Sequence, residues 1–310
     1  MGTHYSVLLG ETLSYLNIKE DGIYADLTLG RGGTSSEILK RIPKGHLYAF
    51  DRDQEAIEES KKRLESAGSN FTIIHDNFSS FKEDLMERGV TSLDGIVADL
   101  GVSSPQFDEG ERGFSYKADA PLDMRMDLSS PLTARSIVNT YSFEDLARIF
   151  RRYGEDPDSA KVASLIVKER EKKPIETTFD LVEIIKRAKP KKSLLKKGHP
   201  AKQIFQALRI ETNGELDSLE KMLETFPEML KSGGRIVVIT FHSLEDRLVK
   251  EAFHKLTRVE GDRNGPDLLP SEIEEAPFLD LTRKPVLPSE KELLENNRSH
   301  SAKLRAIEKK

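Results

Sequence analysis

Between Ile23 and Asp99, short β-branched runs alternate with longer segments of helical period, and this alternation constrains the chain more than any other feature. Strands are predicted at Ile23 to Leu27, His46 to Phe50, Phe71 to His75 and Gly95 to Asp99. Helices are predicted between them from about Thr34 to Arg41, Asp53 to Ala67 and Ser80 to Arg88, the second capped by Asp53 and ended near Gly68. Repeated strand-helix units of this length close as right-handed crossovers and build a parallel sheet.

After Asp99 the rhythm breaks. Phe107 to Met126 reads as a loop, followed by helical segments without strand candidates at Thr133 to Val138, Phe143 to Tyr153, Asp158 to Glu171, Phe179 to Ala188 and Lys202 to Glu211. The alternation resumes with a helix from Glu215, a Gly233-Gly234 turn and the apolar strand Arg235 to Thr240. A helix from Leu244 to Leu256, a Pro-rich stretch from Gly261 to Pro288 and a last strand at Ala302 to Ile307 complete the chain. The expected fold class is α/β, a mostly parallel sheet formed by residues 1–109 and 213–310 and interrupted by an inserted all-helical domain at 110–212. The insert is assigned to substrate recognition.

A chain of 310 residues exceeds what one core usually sustains, which agrees with an insertion. With 37% hydrophobic residues it can bury a core. It has no cysteine, which excludes disulfides, thiolate zinc sites, iron-sulfur clusters and a cysteine nucleophile. No run approaches a membrane span and Met1-Gly2-Thr3-His4-Tyr5 is not a signal peptide, so a cytoplasmic location without membrane contact is expected. The formal net charge of -5 requires any polyanion to be met by a local basic patch.

Directly after the first strand stands Asp26-Leu27-Thr28-Leu29-Gly30-Arg31-Gly32-Gly33-Thr34, where glycines permit tight turning and close approach of the main chain to a ligand. Asp51 ends the second strand, an acid placed to accept hydrogen bonds from ribose hydroxyls. An ordinary turn and a helix cap would read the same way singly; together, in this order, they indicate a nucleoside. The spacing G-x-G-G does not fit the dinucleotide pattern G-x-G-x-x-G, whereas S-adenosylmethionine, which has no phosphate, tolerates it. An NAD-dependent oxidoreductase is the alternative on the same fold.

The fourth strand ends in Asp99-Leu100-Gly101-Val102-Ser103-Ser104-Pro105-Gln106. Ligands of open parallel sheets lie at the carboxyl ends of strands, so Asp99 shares a cleft with Gly32 and Asp51, unless it merely caps the next turn. Enzymes that methylate an exocyclic amine carry a short polar segment here, whose acceptors free the nitrogen lone pair. Methylation of pyrimidine carbon five ordinarily needs a cysteine, so nitrogen or oxygen is the remaining target.

These strings, with Arg112-Gly113-Phe114-Ser115, Pro121 to Asp127, Phe205 to Ile210, Ile239 to Arg247 and Arg298 to Arg305, resemble the bacterial 16S rRNA (cytosine-N4)-methyltransferases, the MraW type, from about His4 to Ala306. The resemblance implies a Rossmann-like methyltransferase that moves a methyl group from S-adenosylmethionine to N4 of a cytosine in the P-site region of 16S rRNA. S-adenosylhomocysteine is then the product, and no covalent enzyme intermediate or metal is involved. It places cofactor contacts on Gly32, Gly33, Thr34, Asp51, Phe78, Asp99 and Gln106, and the reacting amine beside Asp99, Ser103 and Ser104. Thr34 stands where many members have His, and Phe78 reads equally as a core aromatic.

From Lys186 to Lys202 there are eight Lys or Arg and no acid, and Lys191, Lys192, Lys196 and Lys197 are candidates for phosphate contact, although a solvated loop reads the same. Asp123 and Asp127 either meet the target cytosine or tie the insert through Arg125 or Arg112. His242 is a cleft candidate or a structural histidine. The expected partner is 16S rRNA within the small ribosomal subunit; a homodimer is compatible with the sequence but not indicated by it. An RNA-binding assembly factor with a degenerate cofactor site is the reading from another class.

Overall fold

The computed structural model describes residues 6–101, 110–195, 198–258, 275–296 and 298–310. The chain divides into two compact units, Met1–Gly101 with Asp217–Lys310, and Val102–Leu216.

The first unit is built on a sheet of seven strands among the described residues: β1 Ile23–Asp26, β2 His46–Asp51, β3 Phe71–His75, β4 Leu93–Asp99, β5 Leu230–Thr240, β6 Phe278–Asp280 and β7 Lys303–Lys309. Their order is β3-β2-β1-β4-β5-β7-β6. The first five pair in parallel, and β7 runs antiparallel to both β5 and β6. This is a mostly parallel Rossmann-like α/β sheet. β4 and β5 pair directly, with Asp99 opposite Ile239, although more than a hundred residues separate them in sequence.

The strand sequences explain why the sheet is covered on both faces. Along β4, Ile96 and Ala98 point into one core and Val97 into the other; along β5, Ile236 and Val238 face opposite to Val237 and Ile239. Strands apolar on both faces are those of a sheet with helices on both sides. One core gathers Phe50, Phe81, Leu219, Met222 and Phe226; the other gathers Leu8, Leu16, Tyr24, Ile38 and Leu47. Phe226 lies edge-on to Phe253 and Phe278, each centroid 5.9 Å away.

Several elements differ from the sequence reading. β1 ends at Asp26, so Leu27 already belongs to the turn. Helix Leu9–Leu16 is flanked by left-handed Leu8 and Asn17 without a side-chain cap, so no cap residue announces it. β6 has three residues, and its pairing with β7 is long-range. Helix Glu290–Glu295, capped by Ser289, follows the Pro-rich stretch, where the sequence pattern predicts no element.

The second unit, taken by itself, is helical: Ala134–Thr140, Phe143–Arg152, Ser159–Arg170, Thr178–Ala188, Lys191–Leu194 and Lys202–Asn213. Thr133, Ser142 and Thr177 cap the first, second and fourth of these. Apart from a bridge between Pro121 and Thr177, no strand occurs among its described residues.

Phe226 is fully buried between two aromatic neighbours, so Phe226→Ala should lower the unfolding free energy of the sheet unit by about 3–5 kcal/mol, read as a shifted urea midpoint at an unchanged slope.

Candidate active site

The strand order reverses between β1 and β4, and open parallel sheets bind ligands at the carboxyl ends beside such a switch point. Asp26, Asp51 and Asp99 are the last residues of β1, β2 and β4, so the topology brings three carboxyl groups to this place.

The turn after β1 is held by these acids. Gly30 N donates to Asp51 Oδ2 at 2.8 Å, and Asp53 N donates to Asp51 Oδ1 at 2.9 Å. Gly30 and Gly32 have φ of +49° and +70°, which glycine adopts without strain. A Cβ on Gly33 would stand 2.1 Å from Ser6 Oγ, so the N-terminal segment closes directly on this turn. Thr34 is buried in the second position of helix Gly33–Leu39. Each Asp51 oxygen keeps capacity for a second donor, and the residue is only half-buried.

Asp26 belongs to the glycine motif, and its role comes from the fold. Its Oδ2 accepts from Ser35 Oγ at 2.6 Å and its Oδ1 from Thr28 N at 3.1 Å. Thr28 Oγ1 in turn accepts from Asp99 N at 2.6 Å, so one threonine joins the ends of β1 and β4. Burial pushes the Asp26 carboxyl up to about 6.

Asp99 Oδ1 is buried and has no hydrogen-bond partner among the described residues, while the residue as a whole keeps part of its surface open. Burial first, and then the charges of Asp26, Glu245 and Glu292, push its carboxyl up to about 8. An unsatisfied acceptor of this kind is costly in a folded chain and marks a place for a donor from a ligand. Phe78 opens the short turn Phe78–Ser80 after β3, half-buried against the core, so its packing and its access coexist.

His242 follows β5 and caps helix Ser243–Thr257. Its Nδ1 accepts from Glu245 N at 3.4 Å, and Glu245 Oε2 accepts from Phe241 N and His242 N. Its Nε2 lies 3.1 Å from Glu245 Oε1 without hydrogen-bond geometry. Glu245 and Glu292, both acting on Asp99, were missed by the sequence reading. The patterns His242-x-x-Glu245 and Ser289-x-x-Glu292 mark helix starts and were the available signals.

In the second unit, Asp123 is engaged by Arg125 through Nε and Nη2, both at 2.8 Å, and through the backbone N at 3.0 Å. Burial alone raises its carboxyl, but these bonds hold it below the usual range. Arg112 donates to the carbonyls of Arg125 and Met126. Met124 adopts φ +61° between them, so the segment is a built loop. The basic run is less uniform than its sequence. Lys186 pairs with Glu183, Arg187 with Glu169, and Lys189 is buried against Asp156. Lys191, Lys192 and Lys202 are exposed. Ser103, Ser104, Gln106, Lys196 and Lys197 lie outside the described residues.

A model of the MraW methylase family matches residues 1–310. The chain is 54% identical over 310 residues to the ribosomal RNA small subunit methyltransferase H of Streptococcus equi subsp. equi (strain 4047), covering 99% of this chain and 97% of that relative. Among solved structures, an rRNA methylase from Streptococcus thermophilus aligns with a TM-score of 0.40 at 12% identity, over 97% of this chain and 92% of that one. A SAM-dependent O-methyltransferase from Thermotoga maritima aligns with a TM-score of 0.41 at 10% identity, over 100% and 67%. Scores this low add no weight to the family match.

Asp99 binds its proton more tightly folded than unfolded, so its contribution to stability is best below about pH 4 and declines as pH rises toward about 8. Asp99→Asn removes that decline. The melting temperature of the variant should exceed that of the parent by a margin that grows from pH 4 to 8, and a constant margin would contradict the environment described.

Proposed function

This chain belongs to the MraW methylase family, and we propose that it N4-methylates a cytosine in the P-site or decoding region of small-subunit rRNA, using S-adenosylmethionine. The single observation that carries the reading at the level of the site is Asp99. It is an acid at the switch point of the sheet whose buried Oδ1 has no partner among the described residues, beside a glycine turn braced by Asp51.

The residues present suit the cofactor. Gly32, Gly33, Thr34, Asp51, Phe78, Asp99 and Gln106 would hold it, Asp51 by accepting from ribose hydroxyls and Phe78 by offering an apolar face to adenine. When bound, the cofactor supplies a methyl group on a positively charged sulfur, which departs as a neutral thioether. The chain's own work is to orient the amine and to receive its proton. An exocyclic amine is a weak nucleophile because its lone pair is delocalised into the ring. Asp99 Oδ1 accepts one N4 hydrogen, and Ser103 and Ser104 offer further acceptors, so the lone pair is freed toward the methyl group. Asp99, with a carboxyl poised near 8, takes the proton released when nitrogen gains its methyl group. His242 supports the site by starting the helix that brings Glu245 toward Asp99.

The helical unit, 110–212 in the sequence reading, serves substrate recognition. Lys191 and Lys192, together with Lys196 and Lys197, contact phosphates and position the RNA without reading sequence. Asp123 orders its loop through Arg125 for the cytosine. The substrate is presented by the small ribosomal subunit in the cytoplasm. Among the described residues, no helix is long and apolar enough to cross a membrane.

Mass analysis of small-subunit rRNA fragments after incubation with the protein and S-adenosylmethionine should show one methyl group on cytosine N4, reduced at least about 100-fold by Asp99→Ala. A methyl group on carbon five or on a ribose would sink the mechanism. Replacing Lys191, Lys192, Lys196 and Lys197 with Glu should weaken RNA binding and reduce the slope of log affinity against log salt by about 0.7 per lost contact. A slope equal to that of the parent would remove these lysines from the interface.

A further inference from the structure

Within the helical unit, two rings that are distant in sequence lie face to face. Tyr116 and His199 have ring centroids 4.3 Å apart and planes that differ by 8°. Phe205, which is buried, stands edge-on to Tyr116 with centroids 5.7 Å apart. The two stacked rings each keep part of their surface open.

Both rings are placed by tightly built backbone. Tyr116 follows Gly113, held at φ +74°, where a Cβ would stand 2.2 Å from the carbonyl oxygen of Pro121. Between them Phe114 is buried, with the Arg112 guanidinium 5.8 Å from its ring centroid. His199 stands just before helix Lys202–Asn213. Its Nδ1 accepts from Ala201 N at 3.2 Å and its carbonyl accepts from Lys202 N at 3.1 Å. An Nδ1 that accepts carries no proton, and burial, then the charge of Lys186, hold the imidazole below its usual pKa. Among the described residues neither Tyr116 Oη nor His199 Nε2 has a hydrogen-bond partner.

A stack that served only the core would be closed and would satisfy its polar atoms within the chain. This one is open, polar at its rim and set among cations. The charge of Lys186 reaches His199, and Lys117, next to Tyr116, is exposed, as are Lys191, Lys192 and Lys202. Rings beside cations are how proteins hold unpaired nucleotides, the rings taking base faces and the cations taking phosphates.

We propose that Tyr116 and His199 form a stacking platform for an unpaired base of the RNA substrate, so that the helical unit selects single-stranded over duplex RNA. This rests on the reading that the unit meets RNA. A duplex keeps its bases stacked on one another and offers the platform no free face. Every base has such a face, so the platform tolerates sequence.

The test is equilibrium binding, by fluorescence anisotropy, of the full chain and of Tyr116→Leu, Tyr116→Phe and His199→Leu. The probes are a single-stranded RNA from the decoding region of small-subunit rRNA and the blunt duplex of the same strand. Each Leu variant should weaken the single strand about ten-fold and the duplex less than about two-fold, and Tyr116→Phe, which keeps the ring, should match the parent. The slope of log affinity against log salt should stay that of the parent, since no charge is removed. The single strand is also made with one abasic nucleotide at each position in turn. At one position the parent should lose about ten-fold, and Tyr116→Leu should lose nothing further there, because ring and base act as a pair. The absence of such a position, or equal losses on single strand and duplex, would overturn the inference while leaving the RNA reading intact. A parent protein that binds neither RNA would overturn both.

Discussion

The sheet unit depends on a hydroxyl shared between two strand ends. Thr28 Oγ1 accepts from Asp99 N, and Thr28 N donates to Asp26, so the glycine turn and the end of β4 are one hydrogen-bonded piece. Through it the glycine turn and the acid at the end of β4 share one geometry. Asp51 completes the arrangement from the next strand by holding Gly30 N. Backbone groups at such a turn need partners, and here carboxylates share that task with the carbonyls of Val97, Phe50 and Leu29.

That solution concentrates acids where water is scarce. Asp26 and Asp99 both hold protons more firmly than usual, and burial is the leading cause for each. A core optimised for stability alone would not place an unpaired acceptor beside two further acids. The folded chain tolerates this because the two apolar cores on the faces of the sheet are extensive and closed. The faces of the sheet supply stability, and the buried acids gather at its carboxyl edge.

The parts that sequence could reveal are those with local causes. Strand and helix periods, the Asp53 cap and the positive-φ glycines follow from neighbours a few residues away, and the helices of the second unit have Ser and Thr caps. What escaped reading has distant causes. The environment of Asp99 is set by burial and by the charges of Asp26, Glu245 and Glu292, all far from it in sequence. The run from Lys186 to Lys202 reads as uniformly cationic because its acids precede it in sequence: Glu183 pairs with Lys186 one helical turn away, whereas Asp156 and Glu169 meet Lys189 and Arg187 only in the folded unit. Likewise Leu9–Leu16 lacks a cap residue, since Leu8 is held by Glu292 instead of by its neighbours.

One modest element bears on how the molecule behaves among its copies. β6 is the last strand of the sheet and has three residues, with Leu279 half-exposed between Phe278 and Asp280. A long flat edge offers a row of free amides and carbonyls to which another chain can add. An edge this short has room for scarcely one such pairing, and it ends in a carboxylate. Among the described residues this edge, in contrast to the five-residue β3 at the other, is thereby a poor seed for strand-by-strand growth, which matters for a protein whose sheet is otherwise apolar on both faces.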